Sequence, residues 1–325
     1  ALAWLLRAAV VAVEERHGPV LGAVIAVEPA LGVVGRRAVR DAAVIAGIPA
    51  VRLRAAPACA LLMVAGSTDG PWLVCDAGAG GLGLAVLDTV GGAIHDLVQL
   101  RDPELGGDAL DATIAGQLEL GGAPIAVDDP AWPGLCAVAR AIKEEAAAGE
   151  LASQIAGLGS AGAGLQAPRS DEVDDWLGAR LRRVDERCQR ALATAGLRAD
   201  DLIDVLLIGG GAQLVGLQDR LLQTLGRGPR MVGDPATPTA LGAAVAARMF
   251  LAEPAALFVE AVPWPLALSD GRGFEPLVAP GAVAPIRASQ VVPTAAADEE
   301  HLEVELWEQG PRTRPYARYT VTGLP

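Results

Sequence analysis

Apolar positions recur at helical spacing from residue 2 to 16, where Arg7, Glu14, Glu15 and Arg16 break the apolar face. A helix is predicted there. The run Ala23–Val27 (AVIAV) predicts a strand, and Gly35–Ala46 a second helix stopped by Gly47. The short VRLRA at 51–55 reads as a strand and Ala58–Val64 as a buried helix. Ser67-Thr68-Asp69-Gly70 has turn chemistry. Beyond it, Trp72–Asp76 and Leu82–Val90 read as strands around a glycine loop, with Ala93–Gln99 as a third strand. Leu105–Leu120 reads as a loop entering a helix. Residues 136–165 are rich in Ala and Gly, helical in their first half, and Glu172–Leu197 predicts one long helix charged on one face. A strand at Asp204–Ile208, a turn at Gly209–Gly211 and helices at Val215–Leu225 and Pro238–Phe250 complete this part. After Pro254 prolines multiply and helical periodicity stops. Residues 258–325 alternate in short runs, an all-β pattern, which places a boundary at 251–260.

Composition narrows the class. A chain of 325 residues that is 52% hydrophobic buries a sizeable core and is not mainly disordered. The net charge of −13 and the lack of a basic stripe exclude a nucleic-acid protein. Four scattered cysteines without CxxC and three distant histidines lack metal-ligand spacing. Cysteines isolated in apolar runs point to a reducing compartment, and neither a signal peptide nor a clean apolar run of about 20 residues is visible. A cytoplasmic protein with no membrane partner is the expectation.

Two glycine motifs carry candidate chemistry. In Asp76-Ala-Gly78-Ala-Gly80-Gly81-Leu-Gly83 the spacing fits a dinucleotide fingerprint, which needs a following helix. Here a strand follows, so the motif reads as a hairpin. Such a turn can aim backbone N–H groups at a phosphate, and Asp76 could hold a magnesium-bound water. An ordinary glycine hairpin fits equally well. Gly209-Gly210-Gly211 lies at a strand-to-helix junction, where glycine allows either close ligand approach or tight packing.

The order of these pieces is more specific than each alone. An Asp-glycine hairpin, a strand-GGG-helix about 120 residues later and a GAA helix start at 242–244 resemble the actin-like ATPase fold, and within it the Hsp70 chaperone family. Pro57–Leu62, Leu105–Asp111, Gly209–Leu217 and Asp234–Val245 are similar to the family's EPTAAAL, LGGDDFD, VGGxTRxPxV and NPDEAVAxGAAV segments. Leu257-Phe258-Val259-Glu260 resembles its interdomain linker, and 289–296 and 319–325 its substrate-binding β-sandwich.

The resemblance implies an α/β chain. It would hold an actin-like (ribonuclease H-like) nucleotide-binding domain over 1–250, incomplete at its start. Within it, 1–65 would be the rest of the first lobe, 66–112 and 187–250 the second lobe's base, and 113–186 its top. A linker at 251–260 would lead to part of an all-β sandwich at 261–325. The implied ligands are ATP or ADP with Mg2+, extended or unfolded polypeptide, and co-chaperones. The implied nucleotide contacts are Gly78, Gly80, Gly81, Lys143, Gly209, Gly210, Gly211, Gln213 and Asp234, with Asp76 on the metal side and no direct protein ligand to the metal. Arg36 and Leu257–Glu260 would couple the domains. Phe274, Val292, Ala295, Leu302 and Val304 would contact peptide.

Departures from the family pattern bear on catalysis. No DxGTT loop with its phosphate-contacting lysine occurs in these residues. The family's Thr and second Asp are Gly81 and Gly83, the Glu of its EPTAAAL helix is Ala56, its signalling proline is Glu28, and its base-stacking Arg is Gln213. Phosphoryl transfer needs positioned water and balanced charge. Weak or lost hydrolysis is therefore expected, with a non-catalytic scaffold as the alternative reading. Restoring Gly81→Thr and Ala56→Glu in a chain completed with the family's first phosphate loop is expected to raise the ATPase rate.

Overall fold

The computed structural model describes residues 1–66, 68–120, 123–144, 155–157, 165, 168–252, 262, 264–271, 273–280, 282, 286–292, 300–310 and 314–323. The chain divides into two compact units: 1–70, 87–99 and 238–325 form one, and 71–86 with 100–237 the other.

In the first unit, α1 (Leu2–His17) packs on α2 (Val33–Ile45) through Val10, Ala43 and Ala46. Ile48, Ile25 and Val51 close this small core. β1 (Ala23–Val27) and β2 (Val51–Ala55) run parallel, Ala23 opposite Val51. Parallel pairing needs a crossover, which α2 supplies. α3 (Ala56–Leu62) starts with Pro57 in its first turn and is buried from Pro57 to Leu61.

The helix α9 (Pro238–Ala252) packs on α3 and β1. Its small residues let two backbones touch. A Cβ on Gly242 would overlap the Cys59 carbonyl and lie 3.3 Å from Ala60 N.

Four strands of the same unit form an antiparallel sheet in the order β10–β9–β11–β12. They are β9 (Leu266–Ser269), β10 (Glu275–Val278), β11 (His301–Glu308) and β12 (Arg314–Thr322), with a bulge at Leu306/Trp307. Two side chains tie this sheet to the start of α2. Both Glu308 carboxylate oxygens accept from Val33 N, at 3.0 and 2.9 Å, and Trp264 Nε1 donates to Ala30 O at 3.0 Å. The α2 N-cap is Gly32, which has no side chain to satisfy the first amides, so Glu308 caps the helix from 275 residues away. Glu308→Ala is expected to destabilise the chain by about 1–2 kcal/mol, with Glu308→Gln intermediate. Chemical denaturation checks this; an unchanged midpoint for the alanine variant would contradict it.

In the second unit, β3 (Gly70–Gly78), β4 (Gly81–Val90), β5 (Ala93–Asp102) and β8 (Asp204–Ile208) form a sheet in the order β5–β4–β3–β8, and the short strands β6 (Glu119–Leu120) and β7 (Ala123–Pro124) pair separately. β3 and β8 are parallel, and their runs Leu73–Cys75 and Val205–Leu207 are fully buried, the continuous apolar pattern of a strand covered on both faces. α4 (Gly107–Ala115) packs on α5 (Trp132–Lys143) and on α6 (Ser170–Leu181). α7 (Arg183–Ala195) packs on α8 (Val215–Leu225).

The single long helix read over 172–197 is two helices, interrupted at Arg182 and ended by Gly196 in the left-handed region (φ 71°). Gly178 weakens the turn before the break. Just after it, Arg183 and Arg187, one turn apart, both converge on Asp102. Among the described residues no helix is long and apolar enough to cross a membrane.

The four cysteines are thiols outside any disulfide. Cys59, Cys75 and Cys188 are buried and Cys136 is half-buried. Burial, then the neighbouring Asp185, pushes the Cys188 thiol up to about 12. Burial, with Cys188 and Asp76 nearby, raises Cys75 well above the ordinary thiol range. Burial, with Asp111 and Asp108 nearby, raises Cys136 as well, so it is its partial exposure that sets it apart from the buried thiols. A native thiol titration at about pH 8 is expected to modify Cys136 first and to reach Cys75 and Cys188 only after denaturation. Rapid native modification of either would contradict their burial.

Candidate functional site

The register of β3 with β8 sets Asp76 beside Ile208, so the hairpin after β3 and the turn after β8 lie side by side. Their contact is backbone to backbone. Gly209 adopts φ 85°, and a Cβ there would sit 2.5 Å from Ala77 O and 3.0 Å from Asp76 Oδ1. A Cβ on Gly211 would sit 3.0 Å from Ala77 O. Gly209 is therefore required by its φ and by its backbone contact, and Gly211 is closely packed.

A third glycine junction joins them. A Cβ on Gly106, at the start of α4, would overlap Gly81 N and Ala79 O, and Asp108 N donates to Ala79 O at 2.9 Å. The hairpin turn at Ala79-Gly80 is thus seated on the N-terminal end of α4. Gly78 and Gly210 differ from these positions. A Cβ on Gly78 would meet nothing nearer than 3.6 Å, and one on Gly210 nothing within 4 Å.

The neighbouring segments follow from these turns. Gly209 N donates to Pro235 O at 2.8 Å, which brings in Asp234. The exposed Asp234 carboxylate accepts from Ala236 N at 3.0 Å and so shapes its own turn. Gln213 ends the 3-10 turn Gly210–Gln213 and is exposed.

Lys143, one of the implied nucleotide contacts, is the last residue of α5. Its Nζ meets Asp111 Oδ1 at 2.5 Å and donates to Gly107 O at 3.2 Å. Arg140 Nε lies 3.3 Å from Asp111 Oδ2. The buried Asp111 therefore already balances Lys143, whose ammonium stands at the start of α4 beside the hairpin turn.

The side chains read as peptide contacts do not share one surface. Leu302 and Val304 are buried on one face of β11. Phe274 packs edge-on against Trp307, ring centres 5.3 Å apart, and Trp307 faces the other side by strand alternation. Val292 is half-buried outside any strand, and Ala295 lies outside the described residues. Leu257, Phe258, Val259 and Glu260 also lie outside them. Arg36 Nε donates to Leu31 O at 3.1 Å and so braces the chain entering α2. Among the described residues, no group of three or more His, Cys, Asp or Glu is placed to hold a metal by itself.

Two features escape sequence reasoning. Glu308 and Trp264 reach the start of α2 across more than two hundred residues, and the only hint is an acidic residue in an alternating strand. Arg101 lies over the hairpin turn; the hint for it is the missing side chain at Gly81.

The family model for Hsp70 protein matches residues 2–322. This chain belongs to the Hsp70 family. The mixed α/β sheets fit the family's actin-like ATPase nucleotide-binding domain. Among similar proteins are the chaperone protein HscA of Escherichia coli and of Citrobacter koseri. Each is 27% identical over 328 residues, which cover 97% of this chain and 52% of the relative. An HscA homolog of Pseudomonas fluorescens is 27% identical over 321 residues, covering 95% of this chain and 51% of its own. The chain thus spans about half the length of the relatives it matches.

Proposed function

We propose that this Hsp70-family chain binds ATP or ADP at the three converging glycine turns, as part of a chaperone that acts on extended polypeptide. The observation that carries the reading is the difference among the glycines. Gly106 and Gly209 are required by packing, whereas Gly78 and Gly210 are not, and their missing side chains leave room at the turns for phosphate oxygens. In this reading backbone amides at 78–81 and 209–211 orient the phosphates, and Asp76, near the end of β3, would accept from metal-bound water. Mg2+, when bound with the nucleotide, neutralises phosphate charge. Gln213 and Asp234 complete the nucleotide contacts in this reading.

Turnover is slow in this reading. Gly81 and Gly83 offer no hydroxyl or carboxylate to hold the attacking water, and losing one such group commonly costs about 3 kcal/mol of transition-state stabilisation. Residues 1–250 serve as the nucleotide domain, 251–260 as the linker and 261–325 as the beginning of the peptide-binding sandwich, with co-chaperones as further partners. Two-domain coupling needs distinct arrangements with different ligand affinities.

Calorimetry with ATP and ADP, with and without Mg2+, tests the reading together with single-turnover hydrolysis. Binding of both nucleotides with hydrolysis far below that of HscA is expected. No binding of either would overturn the nucleotide role and favour a constitutive scaffold.

A further inference from the structure

Asp102 holds more positive charge than one carboxylate balances. It is buried at the end of β5, and its Oδ1 accepts from Glu104 N at 3.0 Å. Its Oδ2 accepts from Arg183 Nε at 3.2 Å, from Arg183 Nη2 at 2.9 Å and from Arg187 Nε at 2.7 Å. One guanidinium would neutralise this carboxylate, so the second is in excess. The nearby acidic groups do not remove the excess. Glu104 pairs with Arg180 at 2.6 Å, and Asp185 with Arg220 at 2.7 Å. Glu186, which acts on Arg183 through space, is exposed on α7, and the exposed Arg190 one turn further on offsets its charge.

The two arginines also keep unused donors. Arg183 Nη1 and both Nη atoms of Arg187 have no acceptor among the described residues, and none of the three is buried. The side chains are 40% and 28% exposed above a carboxylate that is 2% exposed. Because both are held on one oxygen, the two guanidinium groups stand side by side within about two hydrogen-bond lengths.

We propose that Arg183 and Arg187 form a binding site for a phosphate group, distinct in its residues from the nucleotide contacts above. Two guanidinium forks offer more donors than the two oxygens of a carboxylate can accept, and a tetrahedral anion presents the oxygens they lack. Its charge also relieves the repulsion between two adjacent cations. Asp102 orders both side chains before the ligand arrives, so little freedom is lost on binding.

Calorimetric titration of the full chain with inorganic phosphate, at an ionic strength held constant with chloride, tests the site. It compares wild type, Arg183→Gln, Arg187→Gln, Arg187→Lys and Arg190→Gln, with circular dichroism to verify folding. Each variant at 183 or 187 leaves a guanidinium on Asp102, so the buried carboxylate stays paired. The two glutamine variants at these positions are expected to bind phosphate about tenfold or more weakly. Arg187→Lys is expected to fall between, because it keeps the charge and loses the fork. Arg190→Gln, which removes an exposed charge from the same helix, is expected to change affinity less than about twofold. Phosphoserine bound as tightly as phosphate would support the site and assign it to a phosphorylated side chain; phosphate bound alone would support it as a site for the free ion. No phosphate binding by the wild type, acetate bound as tightly as phosphate, or equal losses in Arg190→Gln and Arg187→Gln would overturn the proposal. Asp102 O lies 3.2 Å from where a Gly81 Cβ would stand, so ATP affinity is measured as well. An equal fall in ATP and phosphate affinity would also overturn the proposal, leaving the arginines as a brace beneath the hairpin.

Discussion

Gly242→Ala is expected to unfold most of the chain at temperatures where the wild type is folded. In an ordinary helix interior the same change stabilises by roughly 0.5–1 kcal/mol. Here the added Cβ would overlap the Cys59 carbonyl, which is backbone within the fully buried α3. A side chain could rotate away, but a backbone held inside its own helix cannot. The helix α9 would have to lift from α3, giving up the packing of Ala243, Ala246 and Phe250. Overpacking typically costs about 1–3 kcal/mol when side chains can adjust. A backbone collision exceeds that range, and a loss of about 4 kcal/mol is a large part of a typical stability of about 5–15. Gly178→Ala is the matched control: the nearest atom to its Cβ would be Arg182 Nη1 at 3.9 Å, so the change is expected to raise stability slightly. Denaturant melts of the two variants decide the point, and similar shifts for both would refute the close approach of α3 and α9.

Asp102→Asn is expected to be the most damaging polar substitution, at about 3 kcal/mol. Asp102 Oδ2 receives Arg183 Nη2 at 2.9 Å and Arg187 Nε at 2.7 Å, while Oδ1 accepts from Glu104 N at 3.0 Å. The carboxylate is buried, and an amide there would leave two guanidinium groups facing each other without a counter-charge. Burial alone would raise the carboxyl, but hydrogen bonds from Arg187 and Arg183 and from Glu104 N outweigh it and hold it below the ordinary carboxylate range. The folded group thus titrates lower than the unfolded one. Its stabilisation is complete above the unfolded value of about 4 and is lost as pH falls through the lower folded value. The stability gap between wild type and Asp102→Asn is expected to be constant near neutrality and to narrow below about pH 4. A gap unchanged into strong acid would contradict the ion-pair origin.

The strands around the glycine hairpin, the strand before Gly209 and the capped helices were legible because local chemistry determines them: β-branched runs, glycine turns and a proline in a first turn. The family was legible because motif order spans the whole chain. What was hidden depends on partners distant in sequence. In α9, seven of the fifteen residues are Ala or Gly and Arg248 alone is charged, so periodicity cannot tell which face packs. The break at Arg182 is invisible to a pattern whose charged and apolar positions continue through it. It follows from Asp102, eighty residues earlier, drawing in Arg183. Lys143 could be placed near a ligand by its position in the chain, but its pairing with Asp111 could not. The Gly81→Thr substitution, expected from family pattern to aid hydrolysis, would push Arg101 from the turn and approach Asp102 O at 3.2 Å. It can be judged only as a double-mutant cycle with Arg101→Gly.

The most direct test of the proposed site is amide hydrogen exchange with and without ATP and Mg2+. Protection is expected in three separated segments of the second unit: 78–81, 106–110 and 209–213. An unchanged pattern at saturating nucleotide, or protection confined to other segments, would contradict a nucleotide site at the glycine turns.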